Sequence, residues 1–223
     1  KRGDINLLNS KNLMLPTRHI VAYLGIKRTV ILVLIVFLAW QFLAREAFSA
    51  VATSPIKRYK IRKDSRTAEQ KVPTLSELAS NYVHQGLRYY EHGKWQEATV
   101  AFKDAIEIKP NYAVAYYGLA VTYSRLEIWE EALTFFERTV ELSPGHAQGY
   151  LGLGITYNML GLDTEAMKAL KEAVRINPKF AEAHYALALN YLKLGDITSA
   201  LKIHKILITL DPNLADQLIN LIK

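Results

Sequence analysis

Cysteine is absent from the 223-residue chain, which excludes disulfides, thiolate metal sites and cysteine nucleophiles. The absence leaves the compartment open, since proteins on either side of a membrane can lack the residue. The six histidines (His19, His84, His92, His146, His184 and His204) show no H-E-x-x-H or comparable ligand spacing, and no glycine-rich phosphate loop is present. Catalysis therefore has little to recommend it, and an enzyme is the least favoured reading. The chain reads as a non-enzyme with no catalytic, metal or cofactor site. Nor does it carry a basic run interleaved with stacking aromatics: one short basic stretch holds a lone Tyr59, so no nucleic acid is expected as a partner.

What is present is unevenly spread. Residues 1–73 hold 14 Lys and Arg against 4 Asp and Glu, while residues 74–223 hold 14 against 17. This asymmetry suggests a basic arm near an anionic surface, joined to an ordinary soluble domain. Residues 1–28 are that polar and basic arm. From Thr29 to Ala44 the chain runs without a charge, TVILVLIVFLAWQFLA. Sixteen helical residues span about 24 Å, short of the ~30 Å of hydrocarbon in a bilayer. Snorkelling by Lys27, Arg28 and Arg45 and the apolar continuation through Ala47–Ala52 close the gap. Trp40 stands near one end, where an interfacial aromatic is favoured. The expectation is a retained single-pass anchor over residues 29–52, with its core at 29–44 and the lipid bilayer as its partner. A buried helix of a soluble core and a cleavable signal peptide are the competing readings. Basic residues within about 20 positions of the run favour a cytoplasmic domain, whereas Lys27-Arg28 abutting the run favours export. The extracytoplasmic side is slightly preferred, with both left open.

Residues 53–73 form a linker with Pro55 and Pro73 near its ends and a basic cluster between them. Lys57, Arg58, Lys60, Arg62 and Lys63 are candidates for contact with anionic headgroups, at about 1 kcal/mol per basic residue near the surface. A solvated spacer is the equal alternative.

Beyond the linker a period emerges. Pro110, Pro144, Pro178 and Pro212 stand 34 residues apart and close the phrases IKP, LSP, INP and LDP. A fixed period of this size marks a helical repeat array. Thr74-Leu75-Ser76-Glu77 fits a capping box opening the first helix. Residues 74–223 then divide into repeats 79–112, 113–146, 147–180 and 181–214, with a cap over 213–223. In each repeat a first helix carries an aromatic or His (Tyr82, Tyr116, Tyr150, His184), a small residue (Gly86, Ala120, Gly154, Ala188) and a Tyr (Tyr89, Tyr123, Tyr157, Tyr191). A second helix carries Ala98, Ala132, Ala166 or Ala200, then Phe102, Phe136, Leu170 or His204. The small residues let paired helices approach, the large ones fill gaps to the next unit, and the proline ends the second helix. Trp95 and Trp129, also 34 apart, belong to the turns of this repeat rather than to a cofactor box.

These slots resemble the tetratricopeptide repeat (TPR) pattern W-x2-L-G-x2-Y…A-x3-F…A-x4-P, met in most positions by all four units. The resemblance implies an all-α, right-handed α-solenoid of four helix pairs with a C-terminal capping helix. Departures are mild: Tyr or His at the Trp slot, Gln85 for Leu, Thr139 and Leu207 for Ala, and His204 for the aromatic. In that family the first helices line a concave groove. Carried over by slot, the groove residues here are Val83, Leu87, Tyr90, Tyr117, Val121, Leu151, Ile155, Tyr185, Leu189 and Leu192. Their apolar character points to an apolar helix or extended peptide of another protein as ligand; the alternative is half-burial against neighbouring units. The family's chaperone-tail clamp, built from Lys, Asn and Arg, is replaced by Val83, Leu87, Gly118, Gln148 and Gly152. The expected whole is a membrane-anchored TPR scaffold or assembly factor. A structural subunit of a large membrane complex, or a receptor for apolar targeting helices, are the alternatives.

Overall fold

The computed structural model describes residues 73–223, together with 54–56 and Lys60. The expected anchor, residues 29–52, and most of the linker lie outside the described residues. Among the described residues no helix is long and apolar enough to cross a membrane.

From Leu75 to Ile222 the chain runs through nine helices: α1 (Leu75–Glu91), α2 (Trp95–Ile108), α3 (Ala113–Arg125), α4 (Trp129–Leu142), α5 (Ala147–Met159), α6 (Asp163–Ile176), α7 (Ala181–Lys193), α8 (Ile197–Leu210) and α9 (Pro212–Ile222). Consecutive helices pack pairwise, and each odd-numbered helix also meets the next odd-numbered one. The result is an α-solenoid of four helix pairs closed by α9.

The helix ends follow from local chemistry. Thr74 caps α1 by accepting from the Glu77 amide, and the Glu77 carboxylate accepts in return from the Thr74 amide, the reciprocal capping box. Asp211 caps α9 through Oδ1, which accepts from the Asn213 and Leu214 amides, with Pro212 in the first turn. Proline there sacrifices no hydrogen bond, because that amide has no helical acceptor.

The turn inside each pair repeats one device. The amides of Lys94, Ile128, Leu162 and Asp196 bond to the carbonyls of Tyr89, Tyr123, Tyr157 and Tyr191, and the residue before each has positive φ. In three repeats that residue is Gly93, Gly161 or Gly195; in the second it is Glu127, at φ 59°. A side chain there costs on the order of 1 kcal/mol relative to glycine. Glu127→Gly should therefore raise stability by up to about 1 kcal/mol in urea melts; an unchanged or lower midpoint would show the turn is unstrained.

Three apolar clusters fill the array in chain order. The first joins Val83, Ala98, Phe102 and Ala105 to Ala115 and Leu119 of the next repeat. The second joins Ala120, Ala132 and Phe136 to Leu153 and Ala169. The third joins Leu170 to Leu187, Ala200, Leu207 and, on α9, Ala215 and Leu218. Phe102, Phe136, Leu170 and Leu207 of the second helices thus each lie in a cluster shared with the element that follows.

Polar groups inside are tied back to the helices. Thr122 and Thr156, buried at one slot, donate to the carbonyls of Gly118 and Gly152 at 2.7 and 2.8 Å. The fourth repeat has Asn190 there, whose amide donates to Asn158 Oδ1 and to the Asp163 carbonyl. Lys193 adds an ion pair to Asp163. Polar contacts therefore stitch the third repeat to the fourth. His184 is buried, as its packing slot implies, and shares a hydrogen bond between Nε2 and the Pro178 carbonyl. His204 is half-buried.

Candidate functional site: an apolar cleft across the first helices

The inner surface is made by helices α1, α3, α5 and α7, because the even-numbered helices stand behind them. Side chains at the fifth and ninth positions of each repeat lie one helical turn apart on one face. In the second and third repeats they converge. Tyr117 and Val121 of α3, with Leu151 and Ile155 of α5 and Tyr90 of α1, line one cleft of about 500 Å³. Five of the ten groove residues expected from the slots are thereby brought together.

The other five lie elsewhere. Val83 is 4% exposed and belongs to the first core cluster. Leu87 is 41% exposed but does not line this cleft. Tyr185, Leu189 and Leu192 are half-buried against the C-terminal cluster, as Leu151 also partly is. Half-burial against neighbours thus accounts for the fourth repeat. Ile155, at 43% exposed, is the openly presented aliphatic residue of the cleft floor. Of the basic linker residues, Lys60 is exposed; Lys57, Arg58, Arg62 and Lys63 lie outside the described residues.

Aromatic packing fixes the walls. The Tyr117 ring meets Phe136 edge-on at 6.1 Å and His146 at 4.8 Å, while Tyr90 packs edge-on against Trp95 at 4.9 Å. Burial raises the Tyr117 phenol above its ordinary pKa, with the nearby Tyr90 adding to the effect, so the wall is neutral and apolar at physiological pH.

Three polar residues lie outside the ten groove slots. Arg125, the last residue of α3, donates from Nε to the Tyr90 hydroxyl at 2.8 Å and keeps the rest of its guanidinium exposed. That hydrogen bond is the main cause of a pKa held above the ordinary guanidinium value. Gln148 and Glu182 lie in the first turns of α5 and α7; all three line the cleft. Their slots hold unlike residues from repeat to repeat (Glu91, Arg125, Met159 and Lys193; Ser80, Val114, Gln148 and Glu182). No period announces them, and only their place on a first helix beside apolar groove slots hints at the role.

His146 supports the cleft from below. Its Nδ1 accepts from the Gly149 amide at 2.9 Å, capping α5, so this nitrogen carries no proton. Burial pushes its pKa below the ordinary imidazole value. On lowering pH the unfolded chain therefore takes up this proton first, near pH 6.5. The contribution of His146 is complete above about pH 6.5 and declines from there towards the depressed folded value. His146→Asn keeps a capping acceptor that does not titrate. Urea melts between pH 7.5 and 5 should show a shallower loss of stability in this variant; an equal slope would assign the pH dependence elsewhere.

Among the described residues no cluster of His, Asp or Glu is arranged to hold a metal. What the arrangement offers is an open, largely apolar surface with a cation and an anion at its rim, suited to a polypeptide segment.

Family profiles described as TPR repeat match residues 86–127 and 160–195, and profiles described as tetratricopeptide repeat match 114–146 and 181–214. Together they take in more than half of the 223 residues. Among solved structures, the MamA protein is 26% identical, with TM-score 0.59 over 65% of this chain and 80% of its own. A thermophilic TPR protein of Thermus thermophilus is 28% identical, with TM-score 0.54 over 60% of this chain and 75% of its own. The first TPR of Spaghetti (RPAP3), bound to the HSP90 peptide SRMEEVD, is 23% identical, with TM-score 0.53 over 54% and 95%; that likeness is one of fold. No curated protein matches.

Proposed function

Because the chain belongs to the tetratricopeptide repeat family, we propose that it is a protein-interaction scaffold or assembly factor whose inner cleft holds an apolar segment of a partner. The observation that carries this reading is the convergence of Tyr90, Tyr117, Val121, Leu151 and Ile155 on one open cleft. Apolar side chains presented in a concavity, rather than scattered singly, mark an interaction surface. The ligand differs from the acidic peptide held by the RPAP3 repeat. At the slots where the family's chaperone clamp uses Lys, Asn and Arg, this chain has Val83, Leu87, Gly118, Gln148 and Gly152, none of which carries a charge.

The second part of the proposal is a tether. The uncharged run Thr29–Ala44 and the basic linker that follows it supply the composition of a membrane anchor beside an anionic surface. Confining the array to a bilayer raises its effective concentration for partners on the same surface without any new contact.

One experiment tests both parts. Wild type and Ile155→Glu are expressed at matched levels, the membrane fraction is solubilised in mild detergent, and co-purifying chains are quantified. Partner chains should accompany the wild type and fall about tenfold or more in the variant, with both proteins in the membrane fraction. An identical set of chains with both would exclude the cleft as the binding site. Recovery of the full chain in the soluble fraction would exclude the anchor.

A further inference from the structure

The cleft has a charge pattern as well as an apolar floor. Arg125 stands at the C-terminal end of α3, in the second repeat, and Glu182 at the N-terminal end of α7, in the fourth. Both are exposed, both line the cleft, and among the described residues neither has an ion-pair partner. The first helices run side by side, and the two slots are eleven positions apart along them. The charges therefore lie at opposite rims, roughly 16 Å apart along the helix direction alone. Between them lie Val121, Leu151 and Ile155. The Tyr90 hydroxyl holds Arg125 through Nε, which fixes the guanidinium at the rim and leaves both terminal nitrogens free to form a fork with a carboxylate.

Resting on the reading of the cleft as a peptide site, we infer that its ligand is an apolar segment with an acidic group at one end and a basic group at the other. The acid meets Arg125, the apolar middle covers Val121, Leu151 and Ile155, and the base meets Glu182. The free charges set the direction and register in which the segment lies, since a like charge at either rim is repelled. Apolar contact supplies most of the affinity, and the rim charges supply the discrimination.

The test uses the full chain in detergent and three short labelled peptides sharing one Leu- and Val-rich middle, with ends Glu/Lys, Glu/Glu or Lys/Lys, read by fluorescence anisotropy. The wild type should bind the Glu/Lys peptide about fivefold more tightly than either of the others, an advantage that shrinks in high salt. Arg125→Glu should make the Lys/Lys peptide the best ligand, and Glu182→Lys should do the same for Glu/Glu. Arg125→Lys, which keeps the charge but loses the fork, should retain the wild-type order with a smaller margin. Equal binding of all three peptides by the wild type, abolished by Ile155→Glu, would overturn the charge register while leaving the cleft reading in place. No binding by the wild type, or binding untouched by Ile155→Glu, would overturn both.

Discussion

Phe102→Ala should destabilise the first helix pair by roughly 3–5 kcal/mol, the cost of emptying a well-packed aromatic site. The ring is 1% exposed and sits in the cluster that joins α1 and α2 to Ala115 and Leu119 of α3. Both Gly86 in its own repeat and Gly118 in the next approach it so closely that a methyl group on either would lie within 3 Å of the ring. With two backbones held apart by one side chain, its removal leaves a cavity that neither helix can fill with atoms of its own. In a solenoid the loss is local, because stability is the sum of repeat terms and nearest-neighbour interfaces. Amide exchange should therefore quicken in α1 and α2 and stay unchanged in α7 to α9, while the thermal midpoint falls by on the order of 10 °C. Uniform acceleration across all nine helices would mean that the array melts as one unit. An unchanged midpoint would mean that Phe102 is not the wedge between repeats.

The array is legible in the sequence because its packing is made one residue at a time. A ring such as Phe102 or Phe136 needs a small residue opposite it, and a helix that must stop needs its proline at the same place in every unit; these demands return every 34 residues. The cleft is only half legible, for a physical reason. Slot position tells which way a side chain leaves its helix but not how far it reaches. Val83 and Tyr117 occupy the same slot. Yet valine ends inside the first core cluster, while the longer tyrosine extends to Phe136 and His146 and becomes a wall. The fourth repeat shows the converse, since Tyr185, Leu189 and Leu192 leave their helix in the groove direction and are covered by the C-terminal cluster. Arg125 and Glu182 are illegible because they repeat nothing. A charge that faces an open cleft is not fixed by the packing of its own repeat, so no period carries it.

Gly152→Ala should cost about 1–3 kcal/mol although it adds a single methyl group to a helix, where alanine is otherwise preferred over glycine by about 1 kcal/mol. The added carbon would lie 2.3 Å from the Phe136 ring, far inside contact distance, and the ring is 2% exposed with little room to withdraw. Packing strain outweighs propensity. The chain itself supplies the control. Where a second helix carries phenylalanine (Phe102, Phe136), the sixth slot of the next repeat is glycine (Gly118, Gly152); where it carries Leu170, that slot is Ala186, and both belong to the C-terminal cluster. The pair Phe136→Leu with Gly152→Ala places at the second junction the Leu and Ala found at the third. It should therefore be more stable than the sum of the two single changes predicts, by about 1 kcal/mol or more in a double-mutant cycle read from urea midpoints. Strict additivity would show that ring and glycine are not in contact. Because Gly152 and Phe136 also line the cleft, the same variants should weaken binding of the Glu/Lys peptide where the added methyl group displaces the side chain at position 136. Gly152→Ala should lose affinity, and the double variant should regain part of it.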